Sequence, residues 1–319
     1  MPSARIVSIS TLVNSYVSCW TPQRPTYSGI YEDNDFGCEG SQILRNGFNF
    51  ESFTHDEASL LVSLLTRELR AQINADHKTF WAWCATLPTW HSGVRLFQDR
   101  DWVNAFQSLV HVALGGRRRA PTGPTYLQFL QSATRFVNSH LMKMSDEKHI
   151  IGGPLSLSVL EGLLRRKSPS FVDSSGLVVS PFTVTESNNR SRRYGPGTKL
   201  SRLNSIDDSF RLFEQVTVAN RTRACTGLVE MKQEILALYG ITNDVYDLIG
   251  SWRNNLLHGE QYWMDRLPIV LNMICLLVLD EIDPAVYDSQ LTQIQNRLSF
   301  RRQSGIPFTP PWQVYPPDL

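Results

Sequence analysis

The chain has 319 residues, of which 42% are hydrophobic and 19% are charged; this is the balance of a folded protein and excludes a disordered chain. Thirty-one Lys and Arg residues stand against 30 Asp and Glu residues, so no overall charge draws the protein to nucleic acid or to a membrane. Any contact with a polyanion must therefore be local.

The five cysteines are scattered along the chain, with no CxxC pair and no clustered histidines. This pattern predicts neither a zinc site nor a disulfide framework. The sequence also lacks the glycine-rich nucleotide loops, the nucleophile elbow and the HExxH zinc motif, so we expect no metal and no cofactor.

The first 20 residues are interrupted by polar side chains and lack the apolar stretch of a signal peptide. The most apolar run, 267–279, contains Asn272 and is shorter than the roughly 20 residues needed to span a bilayer. We therefore expect a cytoplasmic protein without membrane contact, and a buried core helix at this run.

The N-terminal part changes character near residue 54. Residues 1–50 show no sustained helical period, which favours strand or irregular structure. Thr54 and Glu57 then stand in capping-box spacing, and the leucines of 61–69 form one helical stripe. A shorter helix is predicted over 102–114, and the aromatic cluster Phe80, Trp81, Trp83, Trp90 and Trp102 is interpreted as core packing rather than as a ligand platform.

Gly115-Gly116 followed by three arginines and Pro121 interrupts the helical pattern and predicts a domain junction. We divide the chain accordingly into an N-terminal region of unknown role, mixed but mostly helical, at 1–115, and a helical domain at 122–290. A long loop insertion is expected at about 168–204, with a hairpin around 177–184, and a proline-rich tail at 291–319.

Helical periodicity continues through the second part. The predicted helices are 126–141, 154–166, one that starts at Ser205, 224–239, 244–258 and 265–281. Short connections between successive helices are typical of antiparallel packing. The sequence thus predicts a mainly α protein with a C-terminal antiparallel helical bundle.

The helix that ends at His258 has two distinct faces. Asp247, Ser251, Asn254 and His258 follow one another at helical spacing on the polar side, opposite an apolar stripe. Arg253 lies beside this polar stripe with a stem long enough to reach it. Gly259 fits the left-handed position that ends a helix, which would leave His258 at an exposed edge.

The stretch 252–259, Trp-Arg-Asn-Asn-Leu-Leu-His-Gly, resembles the signature of HEPN domains: an Arg, a polar residue directly after it, and a His a few positions on. Residues 152–164 resemble the early helix pair of that family, and the likeness covers roughly 122–290. The resemblance implies a helical bundle that dimerises so that two motifs face each other. Residues 1–115 carry no such resemblance.

Many HEPN proteins are metal-independent endoribonucleases of toxin-antitoxin, abortive-infection and CRISPR-linked defence systems, and the resemblance implies the same chemistry here. His258 suits general acid/base work and Arg253 suits stabilisation of phosphate charge, because the ribose 2′-OH is the nucleophile in this reaction. Asn254 would orient the imidazole or a phosphate oxygen. The implied partners are RNA, a second copy of the chain, and an antitoxin or other defence protein.

The bare spacing of the motif is weak evidence. A second copy at Arg135 to His140 fits it too, but an apolar Phe136 follows its Arg, so His140 is interpreted as structural or solvated. The alternative for the 253–258 copy is a merely solvated helix face, in which Arg253 pairs with Asp247, Glu260 or Asp265.

Local basic groups are further candidates for RNA contact, with solvated loops as the alternative. They are Arg117–Arg119, Arg165 and Arg166, and Arg190, Arg192 and Arg193, the last group beside Tyr194 as a ring for stacking. The first hypothesis is a dimeric prokaryotic endoribonuclease of HEPN type. The others are a non-catalytic HEPN-like module that binds RNA, a nucleotide or a protein, and a purely structural helical protein.

Overall fold

A computed structural model describes residues 2–20, 41–71, 73–114, 148–218, 226–242, 244–258 and 266–303. The architecture is mainly helical, which confirms the predicted fold class. The expected helix at 126–141, the arginines 117–119 and Gly259 lie outside the described residues.

Five α-helices and two short 3-10 helices, Leu44–Asn46 and Phe50–Ser52, form the described part of the chain before residue 115. The α-helices are α1 Ala4–Trp20, α2 His55–Glu68, α3 Ala75–Trp90, α4 Arg95–Gln98 and α5 Arg100–Ala113. The capping box that the sequence predicted is present at the start of α2, where the Thr54 side chain accepts from the backbone of Glu57 and the Glu57 side chain accepts in return. Helix α5 confirms the short helix predicted at 102–114.

The strand or irregular structure expected for residues 1–50 is wrong for α1. This segment is rich in Ser and in β-branched residues, which lowers its intrinsic helix propensity. Its buried residues nevertheless recur at helical spacing, at Ile6, Ile9, Val13 and Val17, and this stripe joins the core beside α2. Burial of the stripe therefore outweighs the weak local preference.

Six more α-helices follow among the described residues, together with a π-helical segment, Leu212–Val218, that continues the second of them. The α-helices are α6 Lys148–Lys167, α7 Ile206–Arg211, α8 Thr226–Tyr239, α9 Val245–Leu257, α10 Arg266–Leu279 and α11 Pro284–Gln303. Ser205 caps α7 by accepting from the backbone N–H of Asp208, as its sequence signal predicted. Helix α11 corrects the expected tail, because residues 291–303 continue a helix that begins at Pro284.

Helix α10 is the centre of the molecule. All of its residues from Leu267 to Leu279 are buried, and it packs against α2, α3, α6 and α8. The expected junction near residue 115 therefore does not separate two cores, because helices from both sides of it share one hydrophobic cluster. No helix among the described residues is long and apolar enough to cross a bilayer.

A small β module, residues 171–203, replaces the loop insertion expected at about 168–204. Strand β1 Phe182–Thr185 pairs antiparallel with β2 Ser191–Tyr194, so the hairpin lies later than the expected 177–184. The turn contains Asn189 at φ 63°, a left-handed conformation that asparagine tolerates better than most residues. The module and Leu212 enclose a second, smaller core.

Candidate functional site

Helix α9 carries the motif and begins at a strong cap. The carboxylate of Asp244 accepts from the backbone N–H of Tyr246 at 2.8 Å, which satisfies one of the free donors of the first turn. Val245, Ile249 and Trp252 are buried on one side of the helix. Asn254 and His258 are exposed on the other side, one turn apart, as the sequence predicted.

Arg253 is held from another helix. Its Nε lies 2.7 Å from Oε1 of Glu161 on α6, and the two side chains are 29% and 14% exposed. The partners expected from sequence were Asp247, Glu260 and Asp265. Asp247 pairs elsewhere, and the other two lie outside the described residues, so the pairing with Glu161 is a contact that the sequence did not reveal.

Glu161 lies among opposing influences. Burial raises the pKa of its carboxyl group, and the positive charges of Arg253 and Arg165 act against that shift. Arg165 lies 3.8 Å away on the same helix, one turn on. The ion pair between Glu161 and Arg253 is thus partly shielded from solvent. It therefore holds the Arg253 side chain in place more firmly than a fully exposed pair would.

The side chains of Asn254 and His258 make no hydrogen bond or ion pair within the described part of the chain. The backbone N–H of His258 caps the helix by donating to the carbonyl oxygen of Asn254 at 3.2 Å. Five positions separate Arg253 from His258, which places them about 140° apart around the helix axis. The imidazole and the amide therefore face solvent, while the guanidinium lies on the flank towards α6.

A buried ionic cluster fixes the start of α9. Arg211, 1% exposed, lies 2.8 Å from Asp244, 2.7 Å from Asp247 and 3.4 Å from Asp207. The hydroxyl of Ser187, in the hairpin turn, donates to Asp247 at 2.7 Å. The sequence left open that Asp247, the first residue of the polar stripe, is freely solvated. In the structure it is instead bound by Arg211 and Ser187.

Five of the eight candidate RNA-binding arginines lie in the described part of the chain, and three of these five bind other residues of the protein. Arg165 donates to the carbonyl of Leu203 at 3.2 Å, and Arg166 donates to Asp99 at 2.7 Å. Arg192 pairs with Glu186 and Asp208. Arg190 and Arg193 are exposed, and neither has an ion pair among the described residues.

The expectation that Tyr194 offers a ring for base stacking is wrong. Its side chain is buried, its hydroxyl donates to Asp208, and its ring stacks on Phe182 with 4.9 Å between centroids. The aromatic cluster of the N-terminal part behaves as expected: Phe80, Trp81, Trp83 and Trp102 are core residues, and Trp90 packs against them partly buried.

Among the residues that the structure describes, no three His, Cys, Asp or Glu side chains are grouped so that they could hold a metal ion. In comparisons with known protein families, with curated proteins and with solved structures, nothing matches this chain.

Proposed function

We propose that the protein is a metal-independent endoribonuclease of HEPN type that acts as a dimer, in the manner of a prokaryotic defence or toxin effector. The observation that carries the proposal is the state of three side chains at the C-terminal end of α9. Asn254 and His258 are exposed and make no hydrogen bond or ion pair within the described residues, while Arg253 on the flank of the same helix is held by Glu161. A proton-transfer group and a fixed cation are the two elements that this reaction requires.

In the proposed reaction, His258 removes the proton of a ribose 2′-OH. The oxygen attacks the adjacent phosphorus, and the bond from phosphorus to the 5′-oxygen breaks. The protonated imidazole (imidazolium) of the second copy in the dimer gives its proton to that leaving oxygen, so the products are a 2′,3′-cyclic phosphate and a 5′-hydroxyl. Arg253 stabilises the negative charge of the phosphorane, and Asn254 orients a phosphate oxygen or the imidazole.

Incubation of the purified protein with excess EDTA, on total RNA and on a structured transfer RNA, tests the proposal. The parent protein should leave 2′,3′-cyclic phosphate ends, and His258→Ala should reduce the rate by roughly 10²- to 10⁴-fold, the range for loss of a general acid or base. His140→Ala is the matched control, because it removes the histidine of the second Arg-to-His spacing. It should cleave like the parent.

Equal cleavage by the parent and His258→Ala would sink the catalytic assignment. The stability and the mass of each variant, measured by thermal unfolding and by light scattering, separate loss of chemistry from loss of fold or of dimer. A parent protein that is monomeric at working concentrations would contradict the dimeric mechanism.

The second candidate is a non-catalytic module that binds RNA, a nucleotide or a protein through the same face. It is favoured by the 2.7 Å pair between Arg253 and Glu161, because a phosphate must compete with that carboxylate for the guanidinium. Such a module would bind RNA in a gel-shift experiment without cutting it, and Asn254→Ala would weaken that binding more than Arg253→Ala.

A further inference from the structure

One side of the β module is buried and the other faces solvent. From residue 177 to residue 185 the odd-numbered residues are exposed, while Val178, Phe182 and Val184 are buried in the second core. This period of two is that of an extended chain with one covered face. The outer face consists of Leu177, Val179, Pro181, Thr183, Thr185, Ser191, Arg193, Leu200 and Arg202.

The outer face carries an exposed aliphatic patch. Leu177, Val179 and Leu200 are 41%, 48% and 38% exposed, and they are three of the seven large hydrophobic residues exposed among the described parts of the chain. Leu177 pairs with Arg202 in an antiparallel bridge, and Val178 donates to the carbonyl of Ser201 at 2.9 Å. The bridge brings together the segments that carry Leu177, Val179 and Leu200, so these exposed residues lie on adjoining stretches of the module.

The charged residues of the outer face are all positive. Arg193 and Arg202 belong to it, and none of its residues is acidic. The module has only two acidic residues, Asp173 and Glu186. Asp173 accepts from the backbone and hydroxyl of Ser175, and this hydrogen bond, with a smaller effect from the charge of Arg202, lowers the pKa of its carboxyl group. Glu186 pairs with Arg192, and Arg193 has no ion pair among the described residues.

We propose that the outer face of the β module docks an acidic, aliphatic segment of a partner protein. The aliphatic side chains offer an apolar contact, and the two arginines offer charge-assisted hydrogen bonds to carboxylates. A second copy of this chain fits the face less well, because two such faces would bring four guanidinium groups together without an acidic residue between them. RNA fits less well because Phe182 and Tyr194 stack on each other inside the module, leaving no ring on this face for bases.

The test is selection of a random twelve-residue phage-displayed peptide library on the full chain. The selected peptides should combine acidic and aliphatic residues, and their affinity should fall as salt rises. Val179→Ser and the double variant Arg193→Glu/Arg202→Glu should each weaken binding by about tenfold or more, as expected for central interface residues. The matched controls are Val286→Ser, an exposed valine on α11, and Arg95→Glu, an exposed arginine on α4; both should bind like the parent.

Three outcomes would overturn the proposal. Neutral or basic peptides, or equal binding by the charge-reversed variant, would show that the face does not select acidic segments. Loss of binding to a fluorescent single-stranded RNA in the charge-reversed variant, without loss of peptide binding, would make the face a nucleic-acid surface. A change from dimer to monomer in Val179→Ser would make it an interface between copies. Thermal unfolding of each variant confirms that the fold is retained.

Discussion

The guanidinium of Arg253 is oriented by a carboxylate, whereas the imidazole of His258 is exposed to solvent without a partner among the described residues. These two states suit different tasks, because a stabilising cation must stay in place and a proton carrier must reach its substrate. Glu161 is therefore a positioning residue in the proposed reaction, since it acts on RNA only through Arg253.

The substitution Glu161→Gln should lower the rate of RNA cleavage by about tenfold or more, because a misplaced charge stabilises the transition state poorly. Stability should change by no more than about 1 kcal/mol, since Arg253 is exposed enough to be solvated when it loses its partner. Single-turnover cleavage and urea unfolding measure the two effects. Glu161→Asp should restore part of the rate, and a rate equal to the parent in Glu161→Gln would contradict the positioning role.

Two buried histidines make stability depend on pH. Burial lowers the pKa of His77 to about 4 and, with the charge of His55, lowers that of His91 to about 4. The unfolded chain takes up protons below about pH 6.5, whereas the folded protein does not until about pH 4. The free energy of unfolding should therefore be fully present above pH 6.5 and fall as the pH drops towards 4.

The pH dependence can be assigned by replacing His91, whose two ring nitrogens have no hydrogen-bond partner among the described residues and whose ring stacks on Tyr287. His91→Phe keeps an aromatic ring that can stack on Tyr287. It should remove the contribution of His91 to the fall of the unfolding free energy between pH 6.5 and 4, at most about 3 kcal/mol. Urea unfolding of both proteins at several values between pH 4 and 7 measures the effect. Equal slopes would show that His91 does not bind the extra proton of the unfolded state.

At the scale of the elements, α9 is oriented through its first turn. Arg211 on α7 joins Asp244 and Asp247, and Ser187 attaches the hairpin turn to the same carboxylate. Although burial acts in the opposite direction, the hydrogen bonds from Ser187 and Arg211 hold the pKa of Asp247 below its ordinary value. The β module, α7 and α9 are thereby coupled at the end of the helix that lies away from His258.

Replacement of Arg211 by Met should therefore destabilise the protein by about 3–5 kcal/mol, because it leaves partly buried carboxylates without their shared cation. The matched control is Arg193→Met, which removes an exposed arginine without an ion pair in the described residues and should change stability by less than about 0.5 kcal/mol. Urea unfolding measures both. Similar stabilities for the two variants would show that the ionic cluster does not support this end of α9.

At the scale of the whole molecule, one polar residue links helices from both parts of the chain. Asn272 lies in the middle of the apolar helix α10 and is completely buried. Its side-chain oxygen accepts from the indole N–H of Trp81 at 2.7 Å, and its amide donates to the hydroxyl of Thr66 at 3.1 Å. The residue that interrupts the most apolar run thus fixes how α2 and α3 sit on α10.

The substitution Asn272→Ala should destabilise the protein by about 2–4 kcal/mol, because it leaves the buried indole N–H of Trp81 without an acceptor and opens a small cavity. Loss of stability should appear as a single cooperative transition in urea, since the helices share one core. Two separate transitions, with only one of them shifted, would contradict the single core.

Much of the secondary structure follows from local patterns. The stripe of leucines and the capping box predict α2, and Ser205 predicts the start of α7, because both depend on residues within a few positions of one another. Helix α1 was missed because its Ser and β-branched residues lower helix propensity, although Ile6, Ile9, Val13 and Val17 already stand at helical spacing in the sequence. The hairpin was misplaced, although Asn188 and Asn189 were a usable turn signal.

The sequence by itself determined a mainly helical chain with a net charge of only +1, and it determined that Asn254 and His258 share the exposed face of one helix. Only the tertiary structure decided that Glu161 holds Arg253, that Arg192 is paired while Arg193 is free of ion pairs in the described part, and that both sides of residue 115 share one core. The physical reason is the separation in sequence between the residues that interact. Helical periodicity and caps are local, whereas ion pairing and burial depend on residues that are brought together only when the whole chain packs.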